Sequence, residues 1–298
     1  MLILKTPNWS DYELVDSGDS ARLERFGKYI LVRPDPQAIW KPTLPASEWN
    51  KANAVFERTS GEKGKWIFKH KLPEKWLMHY RDLSFYVKLS PFKHTGVFPE
   101  QAAQWDWIRD LTHQRGVTTK RAPVASPATN ILNLFAYTGI ASLAAASTGA
   151  KVTHVDASRP TISWARENQE VSGLQNKPIR FILDDAIKFV QREARRGVKY
   201  DGIIMDPPVF GHGPEGKVWK FNESFPQLLE ACKQVLSDNP LFILVNTYAI
   251  SSSALMLENV LKDYFKNLGG NIECGELALE EKYGKRLLST GIFARWSK

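Results

Sequence analysis

Between Asn130 and Gly139 the chain reads NILNLFAYTG, an apolar run that stops abruptly at a small-residue turn ending in glycine. Ile131, Leu132, Leu134 and Phe135 predict a strand buried on both faces, and Ile140 to Thr148 predicts an alanine-rich helix. Strand, tight turn and helix form the opening unit of a doubly wound α/β sheet. Glycine at position 139 permits close backbone approach, so the turn can cradle a nucleotide-like ligand. A plain βα turn with no ligand has the same three parts, so the neighbouring segments decide.

Those segments repeat the pattern. Lys151 to Ala157 is a second apolar strand ending in Asp156, roughly twenty residues after the turn, where a carboxylate is expected to accept two hydrogen bonds from a ribose diol. Pro160 to Ser172 reads as a helix, Ile179 to Leu183 as a third strand running into Asp184 and Asp185, and Tyr200 to Met205 as a fourth ending in Asp206-Pro207-Pro208. Leu241 to Val245 is a fifth strand. Three successive strands therefore end in carboxylates, at the edge where open α/β sheets bind ligands.

The first turn discriminates between nucleotide cofactors. A dinucleotide fingerprint needs three glycines so that a pyrophosphate can sit on the helix N-terminus, whereas FAYTGIAS has one. S-adenosylmethionine carries a ribose, an adenine and a cationic sulfonium but no phosphate, and a carboxylate-lined crevice suits a cation.

NILNLFAYTG, THVDASRPTISWARENQEVSGL, DDAIKFV and DPPVFG together resemble the class I methyltransferases, most closely the bacterial group of large-subunit ribosomal RNA methyltransferases that modify cytosine C5 or guanine N7. The resemblance covers about Lys93 to Lys298. It implies that Phe135, Ala136, Tyr137 and Gly139 line the methionine end of S-adenosylmethionine and that Asp156 binds the ribose. Ala157 and Ser158 would flank the adenine, and Asp185, followed by Ala186, would accept from its amino group. Upstream, KHTGVFPEQ is similar to that group's KTG-F-DQ segment, which adds Phe98 to the implied cofactor contacts. His94 and Ala102 stand where the group usually has lysine and often arginine. The same stretch, with Pro99 and Glu100 opening a helix, also reads as an ordinary loop-to-helix junction.

The Asp206-Pro207-Pro208-Val209-Phe210 segment carries most of the chemistry. In methylation of a ring nitrogen or amine, a carboxylate and a backbone carbonyl can hold the acceptor edge while an aromatic ring stacks on the base. Asp206 would orient the acceptor, the Pro207 carbonyl would accept a hydrogen bond, and Phe210 either stacks on the base or packs the loop. Cytosine C5 methylation instead requires a thiolate nucleophile. The only cysteines are Cys232, in the helical stretch Glu223 to Leu236, and Cys274, near the sixth strand. Neither follows the Asp-Pro-Pro motif or the fifth strand, where Asn246, Thr247 and Tyr248 stand instead. Methylation of a ring nitrogen, an exocyclic amine or an oxygen remains, with nitrogen preferred from the Asp-Pro-Pro motif.

The first ninety residues predict a small antiparallel β domain, with strands at Tyr12 to Val15, Ala21 to Phe26, Tyr29 to Arg33, Ala54 to Arg58, Trp66 to His70 and Phe85 to Leu89 and turns that include Gly61-Glu62-Lys63-Gly64. Trp40, Trp49, Trp66 and Trp76, interleaved with Arg33 and several lysines, could bind single-stranded nucleic acid. The preferred reading packs these tryptophans in the small core, with the lysines on its solvated face. Gly116 to Thr129, with Arg115, Lys120 and Arg121 about it, reads as a linker too sparsely basic to be a binding site.

The expected organisation is thus a β-rich domain over 1–90 and a seven-stranded Rossmann-like α/β methyltransferase domain over 91–298, with 91–129 leading into the catalytic sheet of 130–298. Its closing elements are a helix at Leu255 to Phe265, strand six at Ile272 to Leu279 and an antiparallel strand seven at Leu287 to Trp296. A net charge of +8 fits an RNA partner. Two cysteines, no bilayer-length apolar run, no signal-like start and no zinc-ligand spacing lead to an expected cytoplasmic enzyme without a metal. The leading function is methylation of an RNA base nitrogen, ribosomal RNA favoured. Methylation of a protein or small molecule is the enzymatic alternative. A non-catalytic RNA-binding module on a methyltransferase scaffold is the third, and it leaves the acids Asp156, Asp185 and Asp206 without a purpose.

Overall fold

The computed structural model describes residues 1–60, 63–117, 128–213, 218–248 and 252–298. Gly61 and Glu62 of the expected turn, and most of the linker with Lys120 and Arg121, lie outside these. The chain divides into two compact units, one of residues 4–103 and 277–290, the other of residues 1–3, 104–276 and 291–298.

In the first unit, β2 (Tyr12–Gly18), β3 (Ala21–Phe26), β4 (Tyr29–Pro34), β5 (Ala54–Ser60) and β6 (Lys63–Phe68) form a five-stranded sheet in that order, following the short β1 (Leu2–Lys5), with the one-turn helix α1 (Ala46–Trp49) between β4 and β5. β4 and β5 pair parallel through Leu31 with Ala54, because the chain between them crosses back before re-entering the sheet. A separate hairpin joins β7 (Trp76–Tyr80) to β8 (Leu83–Val87). The indole N–H groups of Trp40, Trp49, Trp66 and Trp76 donate within the unit to Ser17, Asp16, Ser90 and Phe26 respectively, but only Trp76 is buried and the other three are half-buried. Arg33 is buried as well, its guanidinium making a forked pair with Glu24 at 2.7 Å on both sides.

The second unit is built on the large sheet. Its elements follow α2 (Ala102–Val117): β9 (Asn130–Leu134), α3 (Ile140–Ser147), β10 (Lys151–Asp156), α4 (Arg159–Val171), β11 (Ile179–Leu183), α5 (Ala186–Arg195), β12 (Gly202–Met205), the hairpin β13 (Phe210–His212) and β14 (Val218–Lys220), α6 (Phe221–Val235), β15 (Phe242–Thr247), α7 (Ala254–Phe265), β16 (Asn271–Glu280) and β17 (Leu287–Ser297). The sheet order is β1-β16-β17-β15-β12-β9-β10-β11, so an eighth strand, Leu2–Lys5, extends the seven expected. β9 through β12 and β15 pair parallel, and β17 returns antiparallel against β15.

Alternation along the central strands explains why both faces are apolar. Leu132, Leu134, Ile203, Met205, Ile243 and Val245 face one core, shared with Phe225 and Leu228 of α6. Ile131, Ile204, Phe242 and Leu244 face the other, shared with Ile108 of α2 and Ala145 of α3. The strand order reverses at β9, which lies between β10 and β12. A crevice is expected outside the carboxyl ends at that reversal. There the turn after β9 and the Asp-Pro-Pro loop after β12 leave adjacent strands.

Candidate active site

The turn after β9 has unusual backbone geometry. Phe135, Tyr137 and Gly139 have φ of 55°, 49° and 87°. Left-handed conformations cost L-residues roughly 1–2 kcal/mol each, and strain of this kind concentrates where a ligand is held. At Gly139 the choice is forced: a Cβ there would lie 3.0 Å from Ala165 Cβ and 3.3 Å from His154 Cε1. Gly139 also caps α3, its carbonyl accepting the Leu143 N–H at 2.9 Å.

Asp156, at the end of β10, holds this turn. One carboxylate oxygen accepts the Tyr137 N–H at 2.8 Å, and the other accepts the Ser158 N–H and the Thr161 hydroxyl, both at 2.9 Å. A carboxylate offers about four lone-pair sites. The Thr161 hydroxyl has one proton and also lies 2.8 Å from the Ser158 carbonyl, so it need not occupy one of these sites, and acceptor capacity remains for a ribose. Burial pushes its carboxyl above the ordinary aspartate range, while the N–H groups of Ser158 and Tyr137 and the Thr161 hydroxyl pull the other way.

The next residues open helices. Ser158 caps α4, and Ala157 joins it to Asp156. Asp185 caps α5 through one oxygen, which accepts the Lys188 N–H at 3.0 Å, and Ala186 is the first residue of that helix, buried. Asp184 is engaged with Arg192 at 2.6 Å.

Beneath Gly139 lies a buried polar chain. Asn133 donates to Ser142 Oγ at 2.9 Å, and Ser142 Oγ lies 3.0 Å from His154 Nδ1. Burial, with the Arg166 charge adding to it, pushes the His154 imidazole down to about 3. It is therefore neutral at neutral pH, and its buried Nε2 has no hydrogen-bond partner among the described residues.

The loop after β12 is fixed at successive residues. The Asp206 N–H donates to the Leu134 carbonyl at 3.4 Å, the Pro207 carbonyl accepts the Thr247 hydroxyl at 3.5 Å, and the Pro208 carbonyl accepts the Trp219 indole N–H at 2.6 Å. Trp219 also meets Phe135 edge-on, ring centroids 4.8 Å apart. This indole ties the Asp-Pro-Pro loop to the first turn. Phe210, in the β13–β14 hairpin opposite Lys220, is 57% exposed. The structure thus brings Phe135 beside the loop that carries Asp206, Pro207 and Phe210. Phe98 belongs to the other unit, where its ring meets His94 edge-on.

Neither thiol is poised for attack. Cys232 is fully buried in the core on α6, and burial raises its pKa strongly. Cys274 donates to Glu258 at 3.0 Å, and burial together with that bond pushes the thiol up to about 11. Among the described residues no cluster of three histidine, cysteine or acidic side chains could hold a metal, and no helix is long and apolar enough to cross a membrane. A depression of about 370 Å³ lined by Lys151, Arg180 and Tyr200 is at the opposite strand ends, away from the acids.

A family model for S-adenosylmethionine-dependent methyltransferases matches residues 42–263. The chain belongs to that family. The crystal structure of a SAM-dependent methyltransferase from Agrobacterium tumefaciens is similar to this methyltransferase with a TM-score of 0.92 at 40% identity, covering 100% of this chain and 93% of that one. A second methyltransferase, complexed with SAH, has a TM-score of 0.69 at 17% identity, covering 97% and 76%, a likeness of fold. Among curated relatives, the ribosomal RNA large subunit methyltransferase K/L of Shewanella frigidimarina is 33% identical over 164 residues, 54% of this chain and 21% of the relative. The ribosomal RNA large subunit methyltransferase I of Aeromonas salmonicida is 38% identical over 107 residues, 36% of this chain and 24% of the relative. The matched stretches thus span about a fifth to a quarter of those relatives. The enzyme uses S-adenosylmethionine, and the single-glycine turn, which leaves no cradle for a diphosphate, agrees with that donor.

The sequence did not point to Trp219 or Thr247. Trp219 sits in the three-residue strand β14, too short for an aromatic to show a periodic signature. Thr247 carried one signal, its place just past Val245, where the sequence ends the fifth strand; in the structure it closes β15.

Proposed function

We propose that this methyltransferase methylates a base nitrogen of RNA, with large-subunit ribosomal RNA as its preferred substrate. The observation that carries this reading is the Asp206-Pro207-Pro208 loop at the strand reversal, with exposed Phe210 beyond it, in a chain whose two thiols are both buried and protonated. When bound, S-adenosylmethionine supplies an electrophilic methyl on a sulfonium, so the protein has little acid-base work to do. Phe135, Ala136, Tyr137 and Gly139 hold its methionine end, Asp156 binds the ribose, Ala157 and Ser158 flank the adenine, and the second Asp185 oxygen accepts from its amino group. Asp206 orients the acceptor nitrogen and balances the charge that develops on it. Phe210 provides the stacking face.

The net charge of +8 and the ribosomal RNA relatives support an RNA partner. A cytoplasmic location is part of the same reading. The test compares modified nucleosides by mass spectrometry in ribosomal RNA from cells with and without the gene, then restores the missing one with purified protein and labelled S-adenosylmethionine. Loss and restoration of a methylated base nitrogen is expected. Transfer to a protein or small molecule with unchanged RNA favours the other enzymatic reading, and cofactor binding without any transfer favours a scaffold.

A further inference from the structure

Arg295, Gln104 and Asn246 form a buried chain of polar groups whose direction is set at one end by a cation. Arg295 donates from NH1 to Gln104 Oε1 at 3.0 Å, and Gln104 Nε2 donates to Asn246 Oδ1 at 3.4 Å. The guanidinium is held from its other side by Glu273, whose Oε2 lies 2.8 Å from both Nε and NH2, and it stacks 4.6 Å over the Trp107 ring. A guanidinium has donors only. The oxygen of Gln104 must therefore face Arg295, its nitrogen must face Asn246, and the oxygen of Asn246 must face Gln104. What remains at Asn246 is its NH2 group, which donates to no described residue.

The position of that group in the sheet gives it significance. Met205 of β12 pairs with Val245 of β15 in parallel register, so Asp206, the first residue after β12, and Asn246, within β15, come next at the same level. Ile204 and Leu244 share the core on the α2 side, and side chains two residues further on return to that side. Asn246 reaches the α2 side through Gln104, and the alternation of β12 carried one step past its end would bring the Asp206 side chain to the same face, an acceptor beside a donor.

Resting on the base-methylation reading, we propose that Asn246 determines acceptor specificity as a fixed N–H donor, oriented by Gln104 and Arg295, beside the Asp206 carboxylate. The pair fits a base edge on which an N–H adjoins an acceptor atom, as on Watson–Crick edges or the N6/N7 edge of adenine. It rejects the N7/O6 edge of guanine, which presents two acceptors and no donor to Asp206.

Gln104→Glu tests this from a distance. A carboxylate at 104 accepts from both Arg295 and Asn246, which turns the Asn246 amide around and presents its oxygen at the edge. Labelled methyl transfer is measured to total RNA from cells lacking the gene, with cofactor affinity by calorimetry. The expected result is at least a tenfold fall in kcat/KM for RNA with the cofactor Kd within twofold of the parent. Asn246→Asp makes the same donor-to-acceptor change directly and replaces the first variant if that one fails to fold.

Side-chain amide exchange by NMR gives a readout that needs no substrate. In the parent the Gln104 NH2 should be protected and the Asn246 NH2 should exchange, and Gln104→Glu should protect the latter. A protected Asn246 NH2 in the parent, or unchanged transfer in both variants, overturns the proposal. A parent that methylates no RNA, even with the predicted exchange pattern, removes the base-methylation reading and the base-edge assignment with it.

Discussion

The backbone N–H of Tyr137 donates to the carboxylate of Asp156 at 2.8 Å, joining the turn after β9 to the end of β10 across 19 residues. A hydrogen bond to a charged acceptor is worth roughly 1.5–3 kcal/mol. That offsets the left-handed backbone at Tyr137, so the acid expected to touch the ribose also shapes the turn expected to hold the methionine. Asp156→Ala should weaken S-adenosylmethionine binding by about 1–3 kcal/mol and lower the thermal midpoint as well. Calorimetry and thermal unfolding on both proteins check this. An unchanged Kd would remove Asp156 from the site, whatever happens to the midpoint.

The thiols give a second expectation. Burial at Cys232, and burial with the bond to Glu258 at Cys274, keep both protonated, so neither can attack a base carbon. The double variant Cys232→Ala, Cys274→Ser should fold and keep turnover within about twofold, since no step uses sulfur. A covalent adduct with RNA containing 5-fluorocytosine, trapped by the parent and lost in the variant, would contradict the nitrogen reading.

His154 makes stability depend on pH. Its folded pKa of about 3 lies below the ordinary value of 6.5, so the unfolded chain takes up a proton first as pH falls. The stability contributed by the neutral imidazole is complete above 6.5 and drains away toward 3. Between pH 7.5 and pH 5 the loss should be about 2 kcal/mol for this residue. Urea midpoints at the two pH values for the parent and His154→Gln isolate it: the parent should lose more than the variant by about that amount, and parallel losses would mean that His154 is accessible to protons in the folded state.

The strands, the first turn and the carboxylates were legible because each is a local pattern: an apolar run, a glycine, an acid at a strand end. Even the limits of β11, Ile179–Leu183, follow from the sequence alone. Groupings that depend on distant partners were not. Trp219 touches Phe135 and Pro208, and the Arg295–Gln104–Asn246 chain joins residues 191 and 142 positions apart. Nothing local marks such partners. Leu2–Lys5 is too short to show a period, and the place of residues 277–290 with the N-terminal unit is a tertiary choice within two otherwise continuous strands. Arg33 read only as one basic group among the tryptophans because its buried partner, Glu24, lies on a neighbouring strand rather than beside it in sequence.

Trp219 offers a test of how the loop is held. Trp219→Phe keeps an aromatic ring against Phe135 but deletes the donor to the Pro208 carbonyl. A lost hydrogen bond of this kind costs roughly 1 kcal/mol. Stability should fall by about that amount, and kcat should fall severalfold while cofactor affinity changes little, because the loop, not the turn, loses its anchor. Steady-state kinetics with parallel calorimetry separate the two, and a weakened cofactor Kd at unchanged kcat would assign Trp219 to the turn instead.

Asp206 and Phe210 lie four residues apart, one directly after β12 and the other opening β13, yet they should fail differently. Asp206 is anchored through its N–H to Leu134, and its side chain is expected to orient the acceptor nitrogen, so Asp206→Ala should lower kcat on the order of a hundredfold with the cofactor Kd and fold retained. Phe210 is 57% exposed, so its removal costs the fold little, and Phe210→Ala should raise KM for the RNA by an amount equivalent to about 1–3 kcal/mol of stacking while leaving kcat near the parent value. Titrating RNA against both variants at saturating S-adenosylmethionine separates orientation from stacking. Full turnover in Asp206→Ala on the identified substrate would make the loop structural and refute the mechanism, whereas an unchanged KM in Phe210→Ala would move the stacking face elsewhere and leave the role of Asp206 intact.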